Sequence, residues 1–299
     1  MKHVVSVSLG SSARNKSSEF EMLGERFLLE RIGTDGDMKA FKAKFEELDG
    51  KVDAMGIGGA DLYLVSGERK FAFREIAHCI SGVKRTPIVD GSGLKHTLER
   101  KSIEFLSESH QIDFAKEKVF LVSAVDRYGM AQALDKVCPD VIYGDLLFGI
   151  GLNLPIRTYA GVQRLANVLL PVITKLPFKW FYPTGEKQDQ RTPKFQKVWD
   201  DRTFICGDSL FILRFAPDRL EWKTILTQSV RAANLEYFKS AGVKQLITTT
   251  PVVGNETFAT NVMEAAIVAL LGKGQTPLLE SEYEEVLGRM NWKPNVIQL

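Results

Sequence analysis

The sequence predicts an α/β protein in which mostly parallel, Rossmann-like sheets carry helices on both faces, with two β-hairpin excursions. Three observations lead there. Short β-branched runs end in Gly-rich turns; those runs alternate with stretches whose apolar residues recur at helical spacing; and 299 residues, 44% hydrophobic and 25% charged, suffice for one large or two ordinary domains.

The elements follow in order. A strand over 4–9 ends in Gly10-Ser11-Ser12. Phe20, Met22, Phe27 and Leu29 alternate with charges around Gly24, the pattern of an exposed hairpin. Met38, Phe41, Phe45 and Leu48 mark a helix, and a strand over 52–57 runs into Gly58-Gly59-Ala60-Asp61. A second hairpin over 62–73 follows where a nucleotide loop would require a helix. A strand over 86–89 leads through Asp90-Gly91-Ser92-Gly93 into a helix. The cleanest βαβ unit is strand 118–122, helix 128–137 and strand 141–144. Val162 to Leu176 make one apolar helical face bent at Pro171, and 183–201 turn polar, as a loop or lid does. A strand over 203–206, an amphipathic stretch over 222–240, a strand over 243–248 and an apolar helix over 258–271 complete the alternation. Ser281 with Glu284 forms a capping box for a last helix. These elements divide into an N-terminal substrate-binding domain, 1–115, and a nucleotide-binding domain, 116–299, with an insertion around 155–201.

Composition removes several classes. The net charge is +2, from 39 basic and 37 acidic residues interspersed along the chain, without the basic stripe of a nucleic-acid binder. Cys79, Cys138 and Cys206 have neither zinc-site nor disulfide spacing, which fits reduced thiols in cytoplasm. The first ten residues are too short and polar a run for a signal peptide. The longest apolar stretch, 165–178, is broken by Asn167, Pro171 and Lys175 and falls short of the ~20 residues that span a bilayer. The expected partner is a small anionic substrate, with self-association into a homo-oligomer allowed.

Four segments could carry chemistry. In Val122-Ser123-Ala124-Val125-Asp126-Arg127-Tyr128-Gly129, small residues at a helix start suit a pyrophosphate, with Ala124 and Gly129 at dinucleotide-loop positions and Arg127 offsetting Asp126. Asp145 ends the next strand at a distance suited to a ribose hydroxyl, which favours NAD over NADP. The plainer reading makes Asp126 a helix cap. Asp90-Gly91-Ser92-Gly93-Leu94-Lys95-His96 combines glycines, a hydroxyl and an ammonium at a helix start, an anion site. Pro183-Thr184-Gly185-Glu186-Lys187-Gln188 packs an acid, a base and an amide into a polar loop. Thr248-Thr249-Thr250-Pro251-Val252-Val253-Gly254-Asn255 sets hydroxyls at a strand end, and Asn261 and Glu264 on the apolar helix after it require a buried partner or a site.

The segment Thr249-Thr250-Pro251-Val252-Val253-Gly254 resembles the Thr-Pro-x-Gly stretch near the nicotinamide in shikimate and quinate dehydrogenases. Over nearly its full length the chain resembles bacterial quinate 5-dehydrogenases, through residues 31–37, 89–95, 122–127, 183–188 and 260–265. That resemblance implies reversible hydride transfer between a nicotinamide cofactor, NAD or NADP, and a ring hydroxyl of a polyhydroxy acid. The lysine-aspartate segments of those enzymes have no counterpart here, so no catalytic role is carried over.

The residues themselves give a working assignment. Lys95 and Ser92 hold the substrate carboxylate, or Lys95 moves the proton with Asp126 as partner and Lys187 as reserve base. Gly93, Gly58, Gly59 and Asp61 complete the substrate site; Ala124, Arg127, Gly129 and Asp145 hold the dinucleotide, with Thr249, Thr250 and Asn255 near its nicotinamide. Two rivals remain: a non-redox sensor or scaffold that binds a nucleotide or phosphometabolite, and a metal-dependent transferase or ligase using Asp90 or Asp126.

Overall fold

Two twisted sheets face each other across a cleft, and the chain crosses between them more than once. The computed structural model describes residues 1–67, 69–180, 190–250, 252–253 and 256–299. Lys187 and Asn255, together with the whole of 183–188, Pro251 and Gly254, lie outside the described residues.

The first sheet starts with β1 (Lys2–Ser8), then β2 (Lys16–Met22) and β3 (Glu25–Gly33), the expected hairpin, whose turn residues Leu23 and Gly24 have φ of 54° and 84°. That pair of left-handed residues matches the twist of the strands it joins. After α1 (Met38–Leu48), capped by Asp37 through the Lys39 and Ala40 N–H groups, come β4 (Ala54–Gly58), the second hairpin β5 (Tyr63–Ser66) and β6 (Arg69–Ala72), α2 (Arg74–Ile80) and β7 (Ile88–Val89). The order is β2-β3-β1-β4-β7, with only β2 antiparallel.

The second sheet follows α3 (Ser92–Glu108). It contains β8 (Val119–Leu121), α4 (Tyr128–Val137), β9 (Val141–Tyr143), α5 (Asp145–Gly149), α6 (Tyr159–Ile173), α7 (Gln196–Asp200), β10 (Phe204–Cys206) and α8 (Ser209–Phe215). Next come β11 (Thr224–Thr227), α9 (Ala232–Ser240), β12 (Gln245–Thr248), the short β13 (Val252–Val253) and β14 (Glu256–Thr257), α10 (Thr260–Leu271), α11 (Glu280–Arg289) and β15 (Asn295–Gln298). The order is β15-β12-β11-β10-β8-β9, parallel except for the edge strand β15.

Burial on both faces explains the apolar strands. In β8, Val119 and Leu121 pack with α3 and α4, whereas Phe120 packs against Trp199 of α7 and Ile212 of α8. In the first sheet Val4 and Ala54 face α10 and α11, and Val5, Val7 and Ile57 face α1, α2 and α6.

Three expectations are corrected. Residues 222–240 are not one helix: Ile225 and Leu226 are fully buried in β11, between β10 and β12, and only the second half of the stretch is helical. The domain boundary at 115/116 does not hold to the C-terminus, since α10 and α11 return to cover the first sheet. The last helix begins at Glu280, where the Glu282 carboxylate accepts the Leu279 N–H at 2.8 Å; Glu284 instead pairs with Arg100.

Candidate functional site

In a parallel sheet the crevice lies where successive connections leave to opposite sides, beyond the carboxyl ends of the strands. The first sheet has that switch point between β1 and β4, the second between β8 and β10. Both open into the same cleft, of about 810 Å³, whose walls include Ser8, Gly58 and Gly59 from one lobe and Asp126, Arg127 and Asp208 from the other.

Lys95, on the first turn of α3, reaches the floor of this cleft. The helix starts at Gly91, whose φ of 92° and closeness to the Asn261 backbone of α10 leave no room for a side chain. Asp90 fixes the approach, with one oxygen accepting the Leu62 and Tyr63 N–H groups and the other the Ser92 N–H. Lys95 Nζ then donates to Asp126 Oδ1 at 2.8 Å and to Asp61 Oδ1 at 3.2 Å.

The two carboxylates sharing that ammonium are not equivalent. Burial pushes Asp61 up to about 7, with Lys95 opposing the rise and the charges of Asp126 and Asp90 adding to it. Burial acts in the same direction on Asp126, but Arg127 and Lys95 outweigh it and hold Asp126 down at about 2. Lys95 is desolvated too, yet Asp126 and Asp61 raise it above the ordinary lysine range. It stays an ammonium, a fixed cation at the cleft floor.

Beneath them Arg127, 3% exposed, ties the lobe together. Its guanidinium donates to Glu99 at 2.6 Å, stands 3.0 Å from Asp126 Oδ2, and pairs with Asp208. Asp208 also caps α8 through the Leu210 N–H and accepts the Gln228 amide at 2.8 Å. Burial pushes Glu99 up to about 7, against the pull of Arg127 and Lys95. Asp126 does not cap α4, whose N-terminus has no side-chain cap.

Of the expected site residues, the cleft brings together Lys95, Asp126, Asp61, Gly58, Gly59 and Arg127. Ser92, Gly93, Ala124, Gly129, Asp145, Thr249 and Thr250 are not among its walls. Gly93 packs under Glu264 and Tyr283, and Gly129 lies against the His96 backbone where α3 and α4 cross. The Asp145 carboxylate is turned inward, accepting the Ala124 and Val125 N–H groups at 2.9 and 3.0 Å and the Ser123 hydroxyl. Thr250 donates to the Gln228 carbonyl, and the Thr249 carbonyl accepts the Trp292 indole N–H. Apart from Arg127, the described residues expected to grip a dinucleotide are thus not among the walls of this cleft, and the Asp145 carboxylate takes the Ala124 and Val125 N–H groups of the β8–α4 turn.

Asn261 and Glu264 have the buried partners their positions required: Asn261 donates to Ser6 Oγ at 2.7 Å, and Tyr283 donates to Glu264 at 2.6 Å. Burial pushes Glu264 up to about 7. His96 stacks on Tyr128 and lines a separate open groove, not the cleft. Reading the sequence missed Arg31, Glu99 and Asp208. Asp208 carried a signal, an N-cap residue directly after a strand, and Glu99 another, a carboxylate between Leu98 and Ile103. Among the described residues there is no cluster of metal-ligating side chains and no helix long and apolar enough to cross a membrane; all three cysteines are free and buried.

Fold and site together define a two-lobed α/β protein with a polar cleft between the carboxyl ends of two parallel sheets. The chain belongs to the family described as Domain of unknown function (DUF8754), whose model matches residues 93–299; residues 3–90 match a second model, Domain of unknown function (DUF8753). No curated protein sequence matches it. Similar solved structures include the glutamate dehydrogenase of Thermus thermophilus (11% identity, 97% of this chain and 73% of that one, TM-score 0.43). Others are a sugar ABC transport substrate-binding protein from Bordetella parapertussis (10%, 100% and 89%, 0.37) and an NAD-dependent malic enzyme from Thermotoga maritima (11%, 86% and 68%, 0.33). None of these three reaches a TM-score of 0.5, and no activity or ligand is carried over from them.

Proposed function

We propose that the cleft binds an anionic, hydroxyl-bearing small molecule and that Asp61, Lys95 and Asp126 move the proton of one of its hydroxyls, the acid–base half of a dehydrogenase reaction. The observation that carries this reading is one ammonium held between two carboxylates at the cleft floor, Lys95 Nζ standing 2.8 Å from Asp126 and 3.2 Å from Asp61, with burial pushing Asp61 up while Arg127 and Lys95 hold Asp126 down. Groups pushed apart in this way are suited to separate acid–base duties.

Asp61 populates both protonation states near neutral pH and exchanges the hydroxyl proton. Asp126 stays ionised and keeps Lys95 charged. The Lys95 ammonium then stabilises negative charge growing on the substrate oxygen. Gly58 and Gly59 let a substrate approach the backbone beside Asp61. Hydride exchange is the redox half that the sequence resemblance implies, and a bound NAD or NADP would supply it.

The Asp145 carboxylate, which takes the Ala124 and Val125 N–H groups of the β8–α4 turn, favours a second reading, a binding protein for the same anion without redox chemistry. Titration of quinate, shikimate, NAD and NADP against the melting temperature tests the site itself, since a ligand bound only by the native state raises it. A saturable rise with one of the acids is expected; no rise with any of the four compounds contradicts both readings.

A further inference from the structure

We infer that the carboxylate of the bound acid sits at the N-terminus of α10, held by the Thr260 hydroxyl and the N–H groups of that first turn, while its reacting hydroxyl faces Lys95. The inference rests on the reading of the cleft as a hydroxy-acid site and says which way round the acid lies.

The cleft floor offers the carboxylate no seat. The Lys95 ammonium is shared by Asp61 and Asp126, so an acid group placed there would meet two carboxyl groups. Ser92 is not among the walls, and its N–H is taken by Asp90.

The start of α10 belongs to the same walls, through Ala259, Thr260, Asn261 and Val262. It is seated firmly. Asn261 donates to Ser6 Oγ at 2.7 Å near the carboxyl end of β1, and the helix runs back from there over Val4 and Ala54. A methyl added at Gly56 would lie 2.8 Å from Asn261 Nδ2, and one at Gly91 2.9 Å from the Asn261 backbone nitrogen, so glycines let the helix come this close. The positive end of its dipole therefore opens on the cleft. No side chain caps it, and the Val262 and Met263 N–H groups turn back to the Ala259 carbonyl at 3.0 and 3.2 Å. An uncapped first turn presents N–H groups to an anion. Asp90, beside Gly91, has its charge met by the Leu62, Tyr63 and Ser92 N–H groups.

Thr260 supplies an independent sign of a ligand. It is 8% exposed, and its Oγ1 is buried with no hydrogen-bond partner among the described residues. Thr97, Ser102 and Thr174 satisfy their hydroxyls by donating to the carbonyl four residues earlier. Thr260 is the first residue of α10, so no carbonyl of its own helix lies behind it. A buried hydroxyl without a partner is costly, and a carboxylate on the adjoining N–H groups accepts its hydrogen bond.

The test is calorimetric titration of quinate and shikimate, and of their carboxamides as uncharged probes of the same shape, on the wild type, Thr260→Val and Thr260→Ser. In the wild type at least one acid should bind about tenfold or more tighter than its carboxamide. Thr260→Val should weaken that acid about tenfold and its carboxamide less, and Thr260→Ser should restore the acid. Without ligand, Thr260→Val should melt at or above the wild-type temperature, because a methyl replaces an unpaired hydroxyl. Equal affinity for acid and carboxamide, or acid binding that Thr260→Val leaves intact, overturns the inference alone. So does an unliganded Thr260→Val that melts more than about 2 °C below wild type, which would give the hydroxyl a partner inside the fold. Binding of neither acid overturns the reading of the cleft and the inference with it. The acid–base reading is tested separately, by turnover at Asp61.

Discussion

Lys95 Nζ stands 2.8 Å from Asp126 Oδ1, although 31 residues separate them and they belong to different elements. The pair joins α3, which opens beside the first sheet, to the turn that leaves β8 in the second. It fixes the two switch points relative to each other as well as setting the charge of the cleft floor.

Lys95→Met therefore leaves Asp61 and Asp126 without their shared counter-ion in a site where Asp126 is 5% exposed. A loss of about 3–5 kcal/mol of folding stability is expected. Urea unfolding measures it, and a midpoint shift worth less than about 1 kcal/mol would mean that the pair is solvent-screened.

Stability should depend on pH through three acids, Asp61, Glu99 and Glu264, each pushed up to about 7 from ordinary values of 3.8, 4.5 and 4.5. Between roughly pH 4.5 and 7 the folded chain keeps protons that the unfolded chain releases, so their contribution falls as pH rises through that window. Asp61→Asn removes one of these titrations. Its stability relative to wild type should rise by on the order of 2 kcal/mol between pH 5 and pH 8; a pH-independent difference would contradict the raised value for Asp61.

Asp145→Ala should destabilise the fold by about 1–3 kcal/mol, because the Ala124 and Val125 N–H groups lose a buried acceptor. Thermal unfolding reads this directly. An unchanged melting temperature would mean that the carboxylate is not engaged beneath the turn.

Gly129→Ala places a methyl against the His96 carbonyl where α3 and α4 cross, whereas nothing lies near a methyl added at Gly149. The first should cost about 1–3 kcal/mol and the second almost nothing. Equal melting temperatures for the two variants would contradict the close helix crossing.

Local patterns were the legible part of this fold. The unit β8–α4–β9, both hairpins and α1 follow from apolar spacing and turn residues, which act within a few positions of one another. The second half of the chain was harder, because residues 222–240 satisfy helical spacing while burial of Ile225 and Leu226 between two strands selects β11. No local signal records that α10 covers the first sheet; that depends on which surface the apolar residues Val262, Met263 and Ala266 find. In the site, the Gly-rich turn before Lys95 was legible as a feature of the backbone. Arg31 was not, since alternation along β3 says which face a residue takes but not that Ser8 and Ser11 will hold it at a cleft. Asp145 had the right spacing for a ribose and a different task, because spacing along the chain does not say which way a carboxylate turns.

The measurement closest to the central claim is turnover at neutral pH by wild type and Asp61→Asn, with quinate and shikimate as substrates and NAD and NADP as acceptors, read by nicotinamide absorbance. The account predicts turnover by the wild type and a loss of at least about a hundredfold in the variant, with substrate affinity retained. Wild-type turnover that survives Asp61→Asn would remove Asp61 from the chemistry, and saturable binding of these acids with no turnover by either protein would contradict the enzyme reading and leave the cleft a binding site alone.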